Sequence, residues 1–211
     1  MPDKKAKPAD ERRKEVLDFL GKDFDQAFSE LREYDGRIWD VTKFTFGELL
    51  VSIGAVWTIF SIATAEKAPA LLANRWELVG AIILIVSFLF SFLAVQVILR
   101  TRTYFVTTAR YINAQRHFFF YELKPPVYPD PTKYYTRINE PKYFDFDSTE
   151  LWSVYTIILV SSAVFGFGIG LLAHYLALPG MPAFLLGAGV FLAASVGEIV
   201  YASRYLSKKE K

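Results

Sequence analysis

The chain has 211 residues, a formal net charge of +2, 53% hydrophobic residues and no cysteine. The near balance of basic and acidic residues excludes a polybasic nucleic-acid-binding protein, and the lack of cysteine excludes a disulfide framework, a thiol nucleophile and a cysteine metal site. Four apolar stretches in so short a chain leave too little polar sequence to cover them, so the expected fold is all-α, a polytopic membrane protein with four transmembrane helices plus cytoplasmic amphipathic helices.

Residues 1–43 are expected to be a cytoplasmic amphipathic helix, with helical patterning over 10–40. Leu17, Leu20, Phe24, Ala27, Leu31, Tyr34 and Ile38 follow alternating steps of three and four, the apolar seam of a coiled coil. The seam serves either packing on a second cytoplasmic helix of the same chain or assembly with copies and partners. Large Phe24 and Tyr34 beside small Ala27 fit a long dimeric zipper poorly. The segment carries ten bases and eleven acids and has no apolar core with a cleavage site, so no removable signal peptide is expected. Gly36 weakens the helix where a bend would turn the chain into the first span.

Residues 44–99 read as the first transmembrane hairpin, with spans at 44–64 and 78–99, each long enough to cross a hydrocarbon core of ~30 Å at 1.5 Å per residue. Residues 100–150 read as cytoplasmic. No Pro or Gly interrupts the chain from 81 to 124, so the second span is expected to continue as a helix with a broad aromatic face. That face carries Tyr104, Phe105, Ala109, Tyr111 and Ile112, with Arg110 and Arg116 turned from the core or toward the acids of the first helix. Residues 124–147 follow with five prolines and six aromatic residues. The prolines forbid a continuous helix and the aromatics argue against disorder, so an extended segment lying on the helical layer or on a neighbour is expected. Asp147 and Glu150 have capping-box spacing ahead of the third span.

Residues 151–203 read as the second hairpin, with spans at 151–176 and 183–203, and 204–211 as a basic cytoplasmic tail. Ser162, Gly166 and Gly170 on one span and Gly189, Ala193 and Gly197 on the other form small-residue ridges that let helices approach, with Ala183 and Gly187 on a nearby ridge. The ridges serve either the hairpin itself or an oligomer seam. His174 near the outer end reads as a hydrogen-bonding group.

The bases fall unevenly: ten before the first span, eight in 100–150 and four after the last, against Lys67 and Arg75 alone in the two remaining gaps. The positive-inside rule then makes both termini cytoplasmic (N-in/C-in), in a plasma (inner) membrane protein. Glu48, Gln96 and Glu198 each sit about one turn inside the cytoplasmic boundary of their spans. They are a candidate polar cluster or acidic pore mouth, or they snorkel and pair with Lys43, Arg100 or Arg204.

No Walker loop, dinucleotide fingerprint, H-E-x-x-H or nucleophile elbow occurs, and the chain has two histidines. No catalytic, cofactor-binding or metal-ligating residue is assigned. The expectation is a non-catalytic scaffold or accessory subunit of a membrane assembly. Its partners would be the lipid bilayer and copies of itself or other membrane subunits, not nucleic acid. The alternative is an oligomeric ion channel with an acidic cytoplasmic mouth.

Overall fold

A computed structural model describes residues 9–65, 69, 75–121, 137–178 and 180–210. Among these residues the chain forms four helices: α1 (Ala9–Ala63), α2 (Trp76–Tyr121), α3 (Thr149–Tyr175) and α4 (Gly180–Glu210). All four are long and apolar enough to cross a membrane. Each span expected from hydropathy lies within one of them, give or take one residue at its end. The first two are much longer than a crossing requires: α1 has 55 residues and α2 has 46, where about 20 suffice. The backbone stays helical through Gly36. A glycine inside a helix costs about 1 kcal/mol against alanine, which a helix of this length and burial absorbs.

The chain divides into two compact units. One comprises the described residues through Gly36 together with Arg102–Lys142; the other comprises Arg37–Thr101 and Tyr143–Lys211.

In the first unit the seam of α1 turns onto α2. Tyr34 stacks on Tyr104 with ring centroids 6.0 Å apart, and the Arg116 guanidinium lies 5.6 Å from the centre of the Phe24 ring. The Tyr111 hydroxyl donates to Asp23 Oδ2, which also accepts from Gln115 Nε2 at 2.7 Å. The acid of α1 and the amide and phenol of α2 therefore close one side of the seam.

The second unit is an antiparallel bundle of the four apolar segments. Moving along α1 and back along α2, Glu48 meets Ser87, Val56 meets Gly80 and Phe60 meets Trp76. Across α2 and α3, Phe88 stacks on Phe165 at 4.3 Å, Gly168 faces Ala81 and Leu84, and His174 Nδ1 is 2.8 Å from Glu77 Oε1. Large apolar side chains such as Leu50, Val51, Trp57, Phe90, Phe167, Phe184 and Leu192 are exposed around the bundle. A bilayer is the solvent that covers such a surface.

The start of α3 differs from the expected capping box. Its N-cap is Ser148, one residue after Asp147, and no side chain caps the helix there. Ser148 Oγ donates to Glu150 Oε2 at 3.2 Å within this first turn. At the other end Ala177 N donates to His174 O and Leu178 N to Ala173 O. This is a Schellman ending with Ala177 at φ 69°, a position that favours glycine.

Candidate functional site

Three sets of residues carried functional expectations: the polar residues of the spans, the small-residue ridges and the cytoplasmic stripe with its aromatic segment.

The polar residues sit in an ordered pattern. Two buried apolar clusters fill the bundle. One contains Ile38 of α1, Val95, Ile98 and Leu99 of α2, Val154, Tyr155, Ile157 and Ile158 of α3 and Ala202 of α4. The other contains Leu49, Val56, Leu84 and Val164. Between them, the same faces of the helices turn polar. On α1, Thr42 and Thr45 fall between Ile38 and Leu49; on α2, Ser87 and Ser91 fall between Leu84 and Val95; on α3, Ser161 and Ser162 fall between Ile158 and Val164. On α4, Ser195 and Glu198 lie one to two turns before Ala202. All eight of these side chains are buried.

Their hydrogen bonding divides them. Thr45 Oγ1 donates to Val41 O at 2.7 Å and Ser161 Oγ to Ile158 O at 3.2 Å, the usual return of a hydroxyl to its own helix. Ser87 Oγ donates to Glu48 Oε2 and Ser52 Oγ to Glu48 Oε1, both at 3.0 Å, so each Glu48 oxygen has a hydroxyl. The remaining five side chains are unused: Thr42 Oγ1, Ser91 Oγ, Ser162 Oγ, Ser195 Oγ and both oxygens of Glu198 are buried with no hydrogen-bond partner among the described residues. Glu198 is 7% exposed.

The three expected polar residues therefore have three different surroundings. Glu48 is held by serines of α1 and α2. Gln96 Oε1 accepts from the Tyr201 hydroxyl at 2.8 Å, tying α2 to α4, while its amide nitrogen is buried without an acceptor. Glu198 has neither a hydroxyl nor a base, so the pairing with Arg100 or Arg204 does not form. Ser162 was read as part of a packing ridge; the other serines and Thr42 were missed in the sequence reading. Their burial depends on which helix faces meet, which the sequence pattern does not specify.

Two apolar grooves lie elsewhere in the bundle. One, of about 440 Å³, runs between α3 and α4 past Gly166, Gly170, Ala183, Gly187 and His174. The other, of about 290 Å³, is lined by Val56, Trp57, Phe60 and Trp76. Neither is lined by Glu48, Gln96 or Glu198.

The ridges separate as well. A Cβ placed on Gly166 would lie 2.5 Å from Gly187 O, and one placed on Gly187 would lie 2.5 Å from Gly166 O. The two backbones touch there, with Gly170 opposite Ala183 one turn further on. Ser162 is buried below this crossing. On α4 the crossing uses Ala183 and Gly187, whereas Gly189, Ala193 and Gly197 are exposed, with nothing within 4 Å of a Cβ on either glycine.

The stripe residues Leu17, Leu20, Phe24, Leu31 and Tyr34 are half-buried, and Ala27 and Ile38 are buried. Of the aromatic segment, 122–136 lies outside the described residues, including Pro125, Pro126, Pro129, Pro131, Tyr128, Tyr134 and Tyr135. Residues 137–142 are bound to α2 through their main chain. Asn113 Nδ2 donates to Glu140 O at 2.8 Å and Arg137 O at 3.2 Å, Arg110 Nε to Pro141 O at 3.0 Å, and Arg102 Nη2 to Lys142 O at 3.3 Å. Arg110 thus turns to this segment, and Arg116 to Phe24. The side chains of Arg137, Ile138, Asn139 and Lys142 remain exposed.

The chain matches no protein-family model, no curated protein and no solved structure. Its function has to be argued from these sites.

Proposed function

We propose that the protein is a non-catalytic, multi-pass component of the plasma (inner) membrane, with both termini cytoplasmic, acting as a scaffold or accessory subunit of a membrane assembly. What supports the reading most is segment 137–142. Asn113, Arg110 and Arg102 hold it by its carbonyl oxygens, so its conformation is set by the backbone while its own side chains stay outside. Such a fixed loop segment with exposed side chains is suited to recognition. The seam of α1 is taken up by α2 and leaves the assembly role to this segment and to the exposed ridge of Gly189, Ala193 and Gly197. Small residues on a lipid-exposed face allow a second helix to approach closely.

The experiment uses the absence of native cysteine. Ala193→Cys, oxidised in native membranes, is expected to give a disulfide-linked dimer, and the detergent-purified protein a mass above the monomer. A monomeric mass, with no neighbour captured either at Ala193 or by a photo-crosslinker at Ile138, would sink the proposal.

The buried polar stretch favours a second reading, an ion channel or pore. In reconstituted liposomes, neutralising Glu48 and Glu198 would then change cation flux, and no flux at any voltage would remove this reading.

A further inference from the structure

The two apolar grooves of the bundle open in the same half of the membrane and share a wall. The longer one runs along α3 from Ala163 to His174 and along α4 from Phe191 to Gly180. Eleven steps along a helix at 1.5 Å each make about 16 Å, half of a hydrocarbon core of ~30 Å. One end of this groove is the α3–α4 turn and the other is the middle of the spans. The shorter one is bounded by Trp57 and Phe60 of α1, Trp76 and Leu84 of α2 and Phe167 of α3. Phe60 meets Trp76 at 5.0 Å, and the neighbouring Glu77 reaches His174 at 2.8 Å, so both grooves start at one level. Phe167 lines both of them and is 61% exposed, which makes it the ridge between two channels.

The longer groove cannot close. Gly166 and Gly187 already meet backbone to backbone, so α3 and α4 come no nearer. Gly170, Gly180 and Ala188 have no side chain long enough to fill the space beside that crossing. Water is a poor occupant, because the walls are almost wholly apolar and an enclosed water needs about two to four polar partners. An empty groove leaves its wall atoms without contacts on one side. What a bilayer supplies to such a space is hydrocarbon chain.

The polarity along the grooves has the same order as a lipid. Their inner reaches are hydrocarbon. At the end near the α3–α4 turn stand the Trp76 ring and the His174–Glu77 pair, with the His174 side chain 54% exposed. Aromatic and polar tips of this kind belong at headgroup level. The length of one groove matches one leaflet, and two grooves on either side of one ring match a molecule with two chains.

We propose that one two-chain phospholipid of this leaflet sits astride Phe167, with a chain in each groove and its headgroup level with His174 and Glu77. Lipid tails are as apolar as the helices, so the preference for this lipid over its neighbours comes from packing contacts and is modest. The site is independent of the assembly role, since Gly189, Ala193 and Gly197 line neither groove. A monomer that holds the lipid retains this proposal, and a dimer that does not hold it loses it.

The test uses the full chain in nanodiscs of dioleoylphosphatidylcholine, doped with a phosphatidylcholine that carries a photoreactive diazirine midway along one chain. Labelled residues are identified by peptide mass spectrometry. Label within 163–171, 184–191 and 53–60 should exceed that at Ile82, exposed on α2 at the same depth, by about threefold or more. Ala188→Leu, which fills the longer groove, should bring the label there down to the Ile82 level. It should lower the label at 53–60 as well, because both chains belong to one molecule. Should Ala188→Leu fail to fold, Ala163→Leu, at an exposed position of the same groove, carries the same expectation. Label spread evenly over the exposed apolar residues overturns the proposal. Label at 53–60 that is unchanged in the filled variant overturns the two-chain assignment. Ala163→Cys, oxidised in native membranes, should give no dimer; a disulfide there would seat a second copy in the groove in place of lipid.

Discussion

Glu48 and Glu198 have the same side chain, each about one turn inside the end of its expected span, and differ in what surrounds them. Sequence placed both at one level because depth follows from counting residues. It could not assign Ser87 to Glu48 and nothing to Glu198, because that depends on which faces meet. The same limit applies to Asn113, an ordinary polar residue of an aromatic helix until the chain returns at 137–142. Its amide then bonds two carbonyls while 5% exposed. Asn113→Leu is expected to destabilise its unit by about 1–3 kcal/mol, because buried carbonyl oxygens lose their donor. Limited proteolysis should then cut near 137–142 faster than in the unsubstituted chain. Ala177 offers the opposite change. Ala177→Gly should raise the unfolding midpoint in detergent, by up to about 1 kcal/mol, because the left-handed backbone there strains any Cβ.

The α3–α4 hairpin shows what periodicity does and does not specify among helices. A spacing of four identifies a ridge of small residues, and α4 has two, on different faces, with Gly187 and Gly189 on nearly opposite sides at about 100° per residue. Both read as packing surfaces, but the one that meets α3 carries Ala183 and Gly187. Which of the two faces meets a neighbour depends on the partner's position, which the sequence pattern does not contain. Gly187→Ala is expected to cost about 1–3 kcal/mol by overpacking, since its methyl would enter the Gly166 carbonyl. Gly197→Ala, in open space, should be neutral or slightly stabilising. Comparing the thermal midpoints of the two variants in one detergent checks both. The alternating spacing of α1 needs only one helix to define a face, and of that face Ala27 and Ile38 are buried. Its partner was narrower to guess, and Tyr104, Tyr111 and Gln115 supply it.

At the scale of the molecule, four apolar helices were readable from hydropathy, and the continuation of α2 beyond its span from the unbroken run that follows it; that the N-terminal helix and the first span form one helix, Ala9–Ala63, was not. Apolar windows end where charge begins, whereas α1 and α2 remain helical because nothing in their sequences stops them. The direction in which the chain threads the membrane rests on the distribution of Lys and Arg. Single cysteines at Asp18, Ile138 and Ser207 should be shielded from a membrane-impermeant maleimide in intact cells, and one at Leu178 should react. Reaction at Ile138 with protection at Leu178 would invert the assignment.

The glycine crossing has a consequence for how this protein can change over generations. Most tight packing tolerates drift, because a bulkier residue on one side is offset by a smaller one opposite. Gly166 and Gly187 have no such freedom, since what blocks a side chain at each is the main-chain carbonyl of the other, and no substitution removes it. Coordinated exchange at these two sites is closed, and any descendant sequence that keeps the hairpin in this register should keep glycine at both.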